Sequence, residues 1–404
     1  MNERANSTPR ALRTVITLLG GRNVGKSSLI NAICGQDVAI VSDVAGTTTD
    51  AVAKPYELLP LGAVTFYDTA GLDDEGDLGL QRIRATRKVL YKTDVAVVVI
   101  GADGIQKNDI DIINDVKKMN IPVVAVFNKI DIAQPKAEDK NWFEQNNIQY
   151  VEVSADKLEN IEELKQKIIG VVPESLWQDP LLAGDLFESG DIVILVTPID
   201  YSAPKGRLIL PQVQVLREIL DKGAKGIVIK EDELENMLTS LKQKPSLIIS
   251  DSQVIMKVAP VVSKDIPLTT FSILFARNKG DIEAIVEGAR TIDALQDDDK
   301  ILIAEACSHH AMDDDIGKVK IPNWLKKYTG KNLMFDFCHG GDFPDNLEQY
   351  ALVIHCGACM LNRAEMMRRM NECIRRGVKI TNYGVVISKT QGVLDRVVEP
   401  LKIA

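Results

Sequence analysis

The sequence contains few of the residues that mark secreted, membrane or nucleic-acid-binding proteins. It has 6 cysteines in 404 residues, and with no secretory signal before them a disulfide framework is excluded. The 48 basic residues are outnumbered by 57 acidic ones, and the net charge of −9 argues against a nucleic-acid surface. No apolar run reaches the length of a membrane span. These absences predict a cytoplasmic protein without nucleic-acid or membrane partners.

The chain is long and apolar enough for several domains. Its 404 residues are 45% hydrophobic, which predicts two or three cores. Residues 1–12 are polar and are expected to be a disordered lead. Strand and helix signals alternate over 13–172, the pattern of a doubly wound α/β domain. A linker is expected at 173–186, followed by two further α/β domains at 187–262 and 263–404.

A phosphate loop is the strongest local signal. Gly20, four further residues and then Gly25-Lys26-Ser27 stand between an apolar strand-like run and a helical pattern. The glycines let backbone amides close around phosphates, and the helix N-terminus favours their negative charge. Lys26 is predicted to reach the β- and γ-phosphates and Ser27 to ligate magnesium, with Ser28 beside them in the nucleotide site.

The other elements of a guanine-nucleotide site follow in order. Thr48 and Asp68 are predicted to lie near magnesium, and the Gly71 amide to sense the γ-phosphate. Asp131 offers two carboxylate oxygens to the two N–H groups on the guanine edge, a pairing that adenine cannot make. The base site is completed by Asn128, Lys129, Ser154 and Ala155.

Thiols and imidazoles gather near the C-terminal end. Cys307 and Cys356 each follow an apolar run, and if the two strands are parallel both thiols reach the carboxyl edge of one sheet. Cys359 begins a helical pattern whose positive end favours anionic thiolates. An iron–sulfur cluster is one interpretation. A closed zinc site of three cysteines and one histidine is the main alternative.

The N-terminal motifs resemble those of bacterial GTPases of the tRNA-modification and ribosome-assembly type, whose switch I motif corresponds to the Gly-Thr-Thr sequence ending at Thr48. In potassium-activated members a phosphate-loop asparagine helps to hold K⁺, and Asn23 occupies that position. Leu72 stands where Ras-like proteins place a water-orienting glutamine. The resemblance implies potassium-stimulated GTP hydrolysis in which Lys26, Thr48 and Asn23 act. A turn-forming asparagine is the alternative for Asn23.

Over its whole length the chain resembles the FeFe-hydrogenase maturation GTPases (HydF). The pattern Cys-x-His at Cys307 and His309, followed by His-Cys-x-x-Cys from His355, carries this resemblance on a chain that opens with a GTPase site. It implies a middle dimerisation domain and a C-terminal domain that binds a 4Fe–4S cluster through Cys307, Cys356 and Cys359.

Three cysteines for four irons leave one iron with an exchangeable coordination position. His309, His355 or Glu305 could bind weakly at that position. Cys338 and His339 lie outside the family motif. The implied function is that of a homodimeric scaffold and carrier, which receives a two-iron precursor made with two radical-SAM maturases and delivers it to apo-hydrogenase. Two alternatives are an RNA- or ribosome-associated GTPase with a structural zinc domain, and a redox sensor whose cluster regulates the GTPase.

Overall fold

The computed structural model describes most of the chain in two compact units, Met1–Asp179 and Pro180–Ala404. The described ranges are 8–35, 52–69, 89–177, 181–199, 208–306, 315–340, 343–344, 346–358 and 361–403. Three sheets with helices between their strands confirm the predicted α/β class and its three-domain layout. Within these ranges, no helix is both long and apolar enough to cross a membrane.

The first unit contains a six-stranded sheet of order β2-β3-β1-β4-β5-β6. Its strands are β1 (Thr14–Leu19), β2 (Val52–Leu58), β3 (Gly62–Asp68), β4 (Val95–Ile100), β5 (Val123–Asn128) and β6 (Gln149–Val153). β2 is antiparallel to β3, and the other neighbouring strands are parallel. Every residue of β4 is buried, as expected of a central strand covered on both faces.

Helices cover both faces of this sheet and create two separate apolar cores. The helices are α1 (Lys26–Cys34), α2 (Lys107–Lys118), α3 (Ala137–Gln145) and α4 (Ile161–Val171). Side chains of α1 and α4 pack into one core, and those of α2 and α3 into the other. The predicted doubly wound domain is therefore confirmed. Residues 10–12, which the sequence assigned to the lead, form a 3-10 turn (Arg10–Leu12) that buries Ala11.

The second unit begins with a four-stranded parallel sheet of order β10-β9-β7-β8. Its strands are β7 (Ile192–Val196), β8 (Lys225–Ile229), β9 (Leu247–Ser250) and β10 (Leu268–Thr270), and its helices are α5 (Leu210–Asp221), α6 (Leu234–Ser240), α7 (Ile255–Val261) and α8 (Phe271–Lys279). Because β10 pairs with β9, this sheet extends beyond residue 262, where the sequence placed the end of the middle domain.

The C-terminal sheet is also parallel, in the order β12-β11-β13-β14. Its strands are β11 (Lys300–Glu305), β12 (Met334–His339), β13 (Leu352–His355) and β14 (Lys379–Asn382), and its helices are α9 (Ile282–Arg290), α10 (Ile321–Thr329), α11 (Arg363–Arg375), α12 (Tyr383–Thr390) and α13 (Leu394–Val398). One continuous apolar core joins side chains of both sheets in this unit, among them Ile194, Ile248, Ile303 and Ile354.

Candidate functional site

The phosphate loop joins β1 to α1, as its sequence predicts. Lys26 is the first residue of α1, and its side chain is only 7% exposed. Its Nζ donates hydrogen bonds to the carbonyl oxygens of Gly20, at 2.9 Å, and Gly21, at 2.6 Å. Phosphate binding requires positive charge and backbone amides. The Lys26 ammonium group supplies the charge, and the loop and the N-terminus of α1 supply the amides.

The two glycines of the motif are required by the geometry of this loop. Gly20 has a φ of +135° and Gly25 a φ of +92°. A Cβ on Gly25 would lie 2.4 Å from Asn128 Nδ2, and one on Gly20 would lie 2.3 Å from the Val99 carbonyl oxygen. The loop therefore contacts the neighbouring strands so closely that only glycine fits.

Ser27 and Asp68 meet beside the phosphate loop. β1 and β3 are neighbours, with Leu18 opposite Asp68, and the Ser27 hydroxyl donates to Asp68 Oδ2. A hydroxyl and a carboxylate are the oxygen ligands that Mg²⁺ prefers. The structure thus brings these two predicted residues together. The others predicted around the γ-phosphate, Thr48, Gly71 and Leu72, lie outside the described residues.

Asn128 connects the phosphate loop to the loop after β6. It is 3% exposed; its Nδ2 donates to the Val24 carbonyl at 2.9 Å, and its Oδ1 accepts from the Ala155 amide at 3.1 Å. Both ends of the carboxamide are therefore used, which fixes its orientation. Asn128 thus braces the phosphate loop against the loop after β6.

The residues predicted to read the base lie next to this brace. Lys129 Nζ donates to the carbonyl of Asn23 at 2.6 Å, and Asn23 has a left-handed backbone with a φ of +62°. The buried Ser154 hydroxyl donates to Asp131 Oδ1 at 2.6 Å and accepts from the Lys157 amide at 3.1 Å. Sequence reasoning named Ser154, but only the structure shows that it orients the Asp131 carboxylate.

The carboxyl ends of β11 and β13 lie side by side in the C-terminal sheet. Cys356 directly follows β13, and in the chain Cys307 is two residues beyond the end of β11. The two strands are parallel, which is the condition under which both thiols were predicted to reach one sheet edge. Cys307, His309 and Cys359 lie outside the described residues. Within the described ranges, no three His, Cys, Asp or Glu side chains form a group that could hold a metal ion.

Cys356 is held through its amide, its carbonyl and its sulfur. Its N–H donates to the Ala304 carbonyl at 2.8 Å, and its own carbonyl accepts from His355 Nδ1 at 2.9 Å. Its Sγ accepts from the Ala306 amide at 3.2 Å. A backbone N–H directed at sulfur favours the thiolate, which is the form that binds metals.

His355 is completely buried, and both of its ring nitrogens are hydrogen-bonded. Because a carbonyl can only accept, Nδ1 carries the proton, and Nε2 accepts from Arg369 Nη1 at 3.0 Å. Burial, and then the charge of Arg369, lower the pKa of His355 to about 3. The ring is therefore neutral, and it would ligate a metal only after one of these two contacts breaks.

Glu305 ends β11 at the same sheet edge. Its Oε2 lies 2.9 Å from His339 Nδ1, and its Oε1 accepts from the Tyr383 hydroxyl at 3.2 Å. Burial, followed by the charge of Glu305, raises the pKa of Tyr383. Gly317 makes room for this cluster, since a Cβ there would lie 2.5 Å from Glu305 Oε1. Sequence reasoning missed Tyr383, which carries no motif.

The remaining described cysteines differ in their surroundings. Cys34 and Cys373 lie on helices, and burial raises the pKa of Cys34 to about 11 and that of Cys373 to about 12. Both are therefore neutral thiols. Cys338 is half-buried on β12, opposite Ala304.

The chain matches three family profiles over consecutive ranges. Residues 15–129 match the family described as 50S ribosome-binding GTPase. Residues 182–280 match the hydrogen maturase F dimerization domain, and residues 283–400 match the hydrogen maturase F tetramerization domain. Together the two hydrogen maturase F domains account for more than half of the chain.

Two relatives with similar sequences are named as GTPases. A GTPase Der from Wolinella succinogenes is 34% identical over 180 residues, 42% of this chain and 37% of the relative. A tRNA modification GTPase MnmE from Clostridioides difficile is 36% identical over 168 residues, 40% of this chain and 34% of the relative. The chain thus spans about a third of the length of these relatives.

Among solved structures, the chain is similar to the crystal structure of Aquifex aeolicus Era bound to GDP and aluminium fluoride. The two are 24% identical in sequence, and the match covers 53% of this chain and 91% of the Era chain, with a TM-score of 0.35.

Proposed function

The chain belongs to the hydrogen maturase F family, and we propose that it is a cytoplasmic GTP-hydrolysing scaffold and carrier for FeFe-hydrogenase maturation. Its N-terminal unit contains a GTPase domain, which implies GTP and Mg²⁺ as ligands. In this proposal the C-terminal domain binds a 4Fe–4S cluster. It receives a two-iron precursor made with two radical-SAM maturases and passes it to apo-hydrogenase. The observation that carries the proposal is the fixed Cys356 thiol at a parallel sheet edge, on a chain with a GTPase domain.

Cys307, Cys356 and Cys359 are the proposed cluster ligands. The residues present suit a thiolate-bound group, because the Ala306 amide donates to Cys356 Sγ and Cys307 is the next residue of the chain. Hydrogen bonds to ligating sulfur are among the means by which proteins adjust such clusters. When bound, the cluster would supply an iron that three cysteines leave with an exchangeable coordination position.

Glu305 is the proposed weak ligand of that position. It ends the strand that leads to Cys307, and carboxylate oxygens keep unshared lone pairs after accepting one hydrogen bond each. His355 is less suited because both of its nitrogens are engaged. His309 is the third candidate, because it belongs to the Cys-x-His motif.

Potassium-stimulated hydrolysis is the proposed mode of GTP cleavage, with Asn23, Lys26 and Thr48 acting at the phosphates. The Asn23 carbonyl is tied to Lys129, so the loop conformation around Asn23 is fixed from the base side of the site. A cation close to the phosphates would neutralise the charge that develops in the transition state.

Assembly into a homo-oligomer, at least a dimer, is the proposed state in solution. The descriptions of the two matched families name a dimerization domain and a tetramerization domain. The middle sheet adds support, because β8 is an edge strand and apolar side chains are exposed on β8 and on α5, which precedes it. These side chains are Val213, Leu220 and Val228, which are 47%, 59% and 39% exposed.

Anaerobic purification followed by iron, sulfide and zinc analysis tests the proposed function. Close to four irons and four sulfides per chain, with little zinc, are expected, as is transfer of the two-iron unit to apo-hydrogenase. Stoichiometric zinc without sulfide would instead support the RNA- or ribosome-associated GTPase with a structural zinc domain. A cluster that forms but supports no hydrogenase activation would support the redox-sensing GTPase.

A further inference from the structure

Arg369 on α11 is a buried arginine that joins three segments of the C-terminal domain. It is 2% exposed, and its Nη1 contacts His355 Nε2 at 3.0 Å. Its Nη2 donates to the Gly340 carbonyl, beyond the end of β12, at 2.7 Å, and to Glu365 Oε1 at 2.6 Å. The guanidinium thereby links the residue that follows β12 and the last residue of β13 to helix α11.

His355 connects Arg369 to Cys356, a proposed cluster ligand. Arg369 donates to Nε2, which leaves Nδ1 to carry the proton and donate to the Cys356 carbonyl at 2.9 Å. The path from the guanidinium to the Cys356 backbone therefore consists of two hydrogen bonds through one fully buried ring. Rotation of that ring would break both bonds.

Burying the charge of Arg369 carries a desolvation cost that its ion pair only partly offsets. A buried ion pair with Glu365 seldom stabilises a fold more than apolar side chains of similar size. The guanidinium lies over the Phe343 ring, 5.4 Å from its centre, which is a favourable cation–π contact. Its Nε–H, however, has no hydrogen-bond partner in the part of the chain that the structure describes. A charged group buried here despite that cost suggests a role toward the adjoining site.

We propose that Arg369 is a positioning residue of the cluster site, which holds Cys356 through His355 and keeps a buried positive charge behind that ligand. The inference rests on the proposed function. Fixing the orientation of a ligand through a histidine is a common second layer around protein metal sites. A nearby positive charge also stabilises the more negative, reduced form of a cluster, so it raises the reduction potential.

The test uses the full-length protein loaded anaerobically with iron and sulfide, in three variants and one control. Arg369→Gln removes the charge, Arg369→Lys keeps the charge but loses the planar donor group, and Glu365→Gln removes the counter-charge while its amide oxygen can still accept from Arg369. The control is Arg376→Gln, because Arg376 follows the same helix but pairs with Glu372 and Glu348. The measurements are the rate of iron release to a chelator and the reduction potential followed by EPR.

Arg369→Gln should release iron about 10-fold faster than wild type, at a lower reduction potential. Arg369→Lys should also release iron faster but keep a potential closer to wild type. Glu365→Gln should raise the potential, and Arg376→Gln should change neither quantity.

Three results would overturn the inference in distinguishable ways. If wild type holds its cluster and Arg369→Gln matches Arg376→Gln in both measurements, the inference is wrong and the proposed function stands. If Arg369→Gln does not fold, the change in reduction potential of Glu365→Gln decides. An unchanged or lower potential in that variant rejects the role of the charge. If wild type takes up no cluster, the proposed function fails and the inference fails with it.

Discussion

The hydroxyl of Ser154 donates a 2.6 Å hydrogen bond to Oδ1 of Asp131 and accepts one from the Lys157 amide. One oxygen of the carboxylate predicted to read guanine is thus held by a buried side chain on the neighbouring loop. A fixed carboxylate loses less entropy when it pairs with a base than a mobile one. Ser154 therefore supports base recognition by orienting Asp131.

Asp131→Asn should weaken GTP binding and improve the relative affinity for xanthosine triphosphate. An amide cannot accept from both guanine N–H groups, but it can donate to the xanthine carbonyl. The expected loss for GTP is about 2–4 kcal/mol, measured by calorimetric titration of both nucleotides. Ser154→Ala is the matched comparison, with a loss of about 1 kcal/mol and no change of preference. An unaltered nucleotide preference in Asp131→Asn would mean that the base is read elsewhere.

Alanine at Cys307, Cys356 or Cys359 should abolish stable cluster binding and largely spare GTP hydrolysis, because the two sites have separate ligands. Iron and sulfide content and the GTPase rate of each variant are the measurements. Cys373→Ala is the control, since the Cys373 thiol is buried on α11 and neutral. Full iron and sulfide loading in all three variants would reject the ligand assignment, while a matching loss of zinc would favour a structural zinc site.

Hydrolysis of GTP should be slow in sodium and faster in potassium at equal ionic strength. Asn23→Ala should reduce this stimulation more than it reduces nucleotide binding, because Lys26 and Asp131 remain. The expected cost is roughly 1–3 kcal/mol of transition-state stabilisation, read from rates in the two salts. Equal hydrolysis rates of the wild type in both salts would exclude the potassium mechanism. The assignment of the GTPase domain would still stand.

Gly25→Ala should disrupt the nucleotide site more than the backbone strain of an alanine with positive φ would by itself. The new Cβ would lie 2.4 Å from Asn128 Nδ2, so the bond from Asn128 to the Val24 carbonyl must break. GTP affinity should fall about tenfold or more, equivalent to a loss of at least 1.4 kcal/mol. Gly35→Ala is the control, since Gly35 also has a positive φ but its Cβ would meet nothing within 4 Å. A similar affinity loss in both variants would show that backbone strain, not the contact with Asn128, is responsible.

Most strands of the first unit were predictable because each is a local apolar run between turn signals. The exception is β2, which contains Lys54 and Pro55 and carries no such run. It forms a strand because it pairs with β3 at the edge of the sheet, where proline is tolerated. The short strand β10 escaped prediction for a similar reason, since pairing with β9 defines its three residues.

The chemistry proposed for the two sites rests on the sequence alone, because the motifs around Lys26, Asp131 and Cys356 are short and local. The residues that orient this chemistry were decided by the tertiary structure. Arg369 reaches His355 from α11, and Tyr383 reaches Glu305 from the start of α12. Neither contact has a sequence signature, because it depends on how a helix packs against the sheet and on which side chains that packing buries.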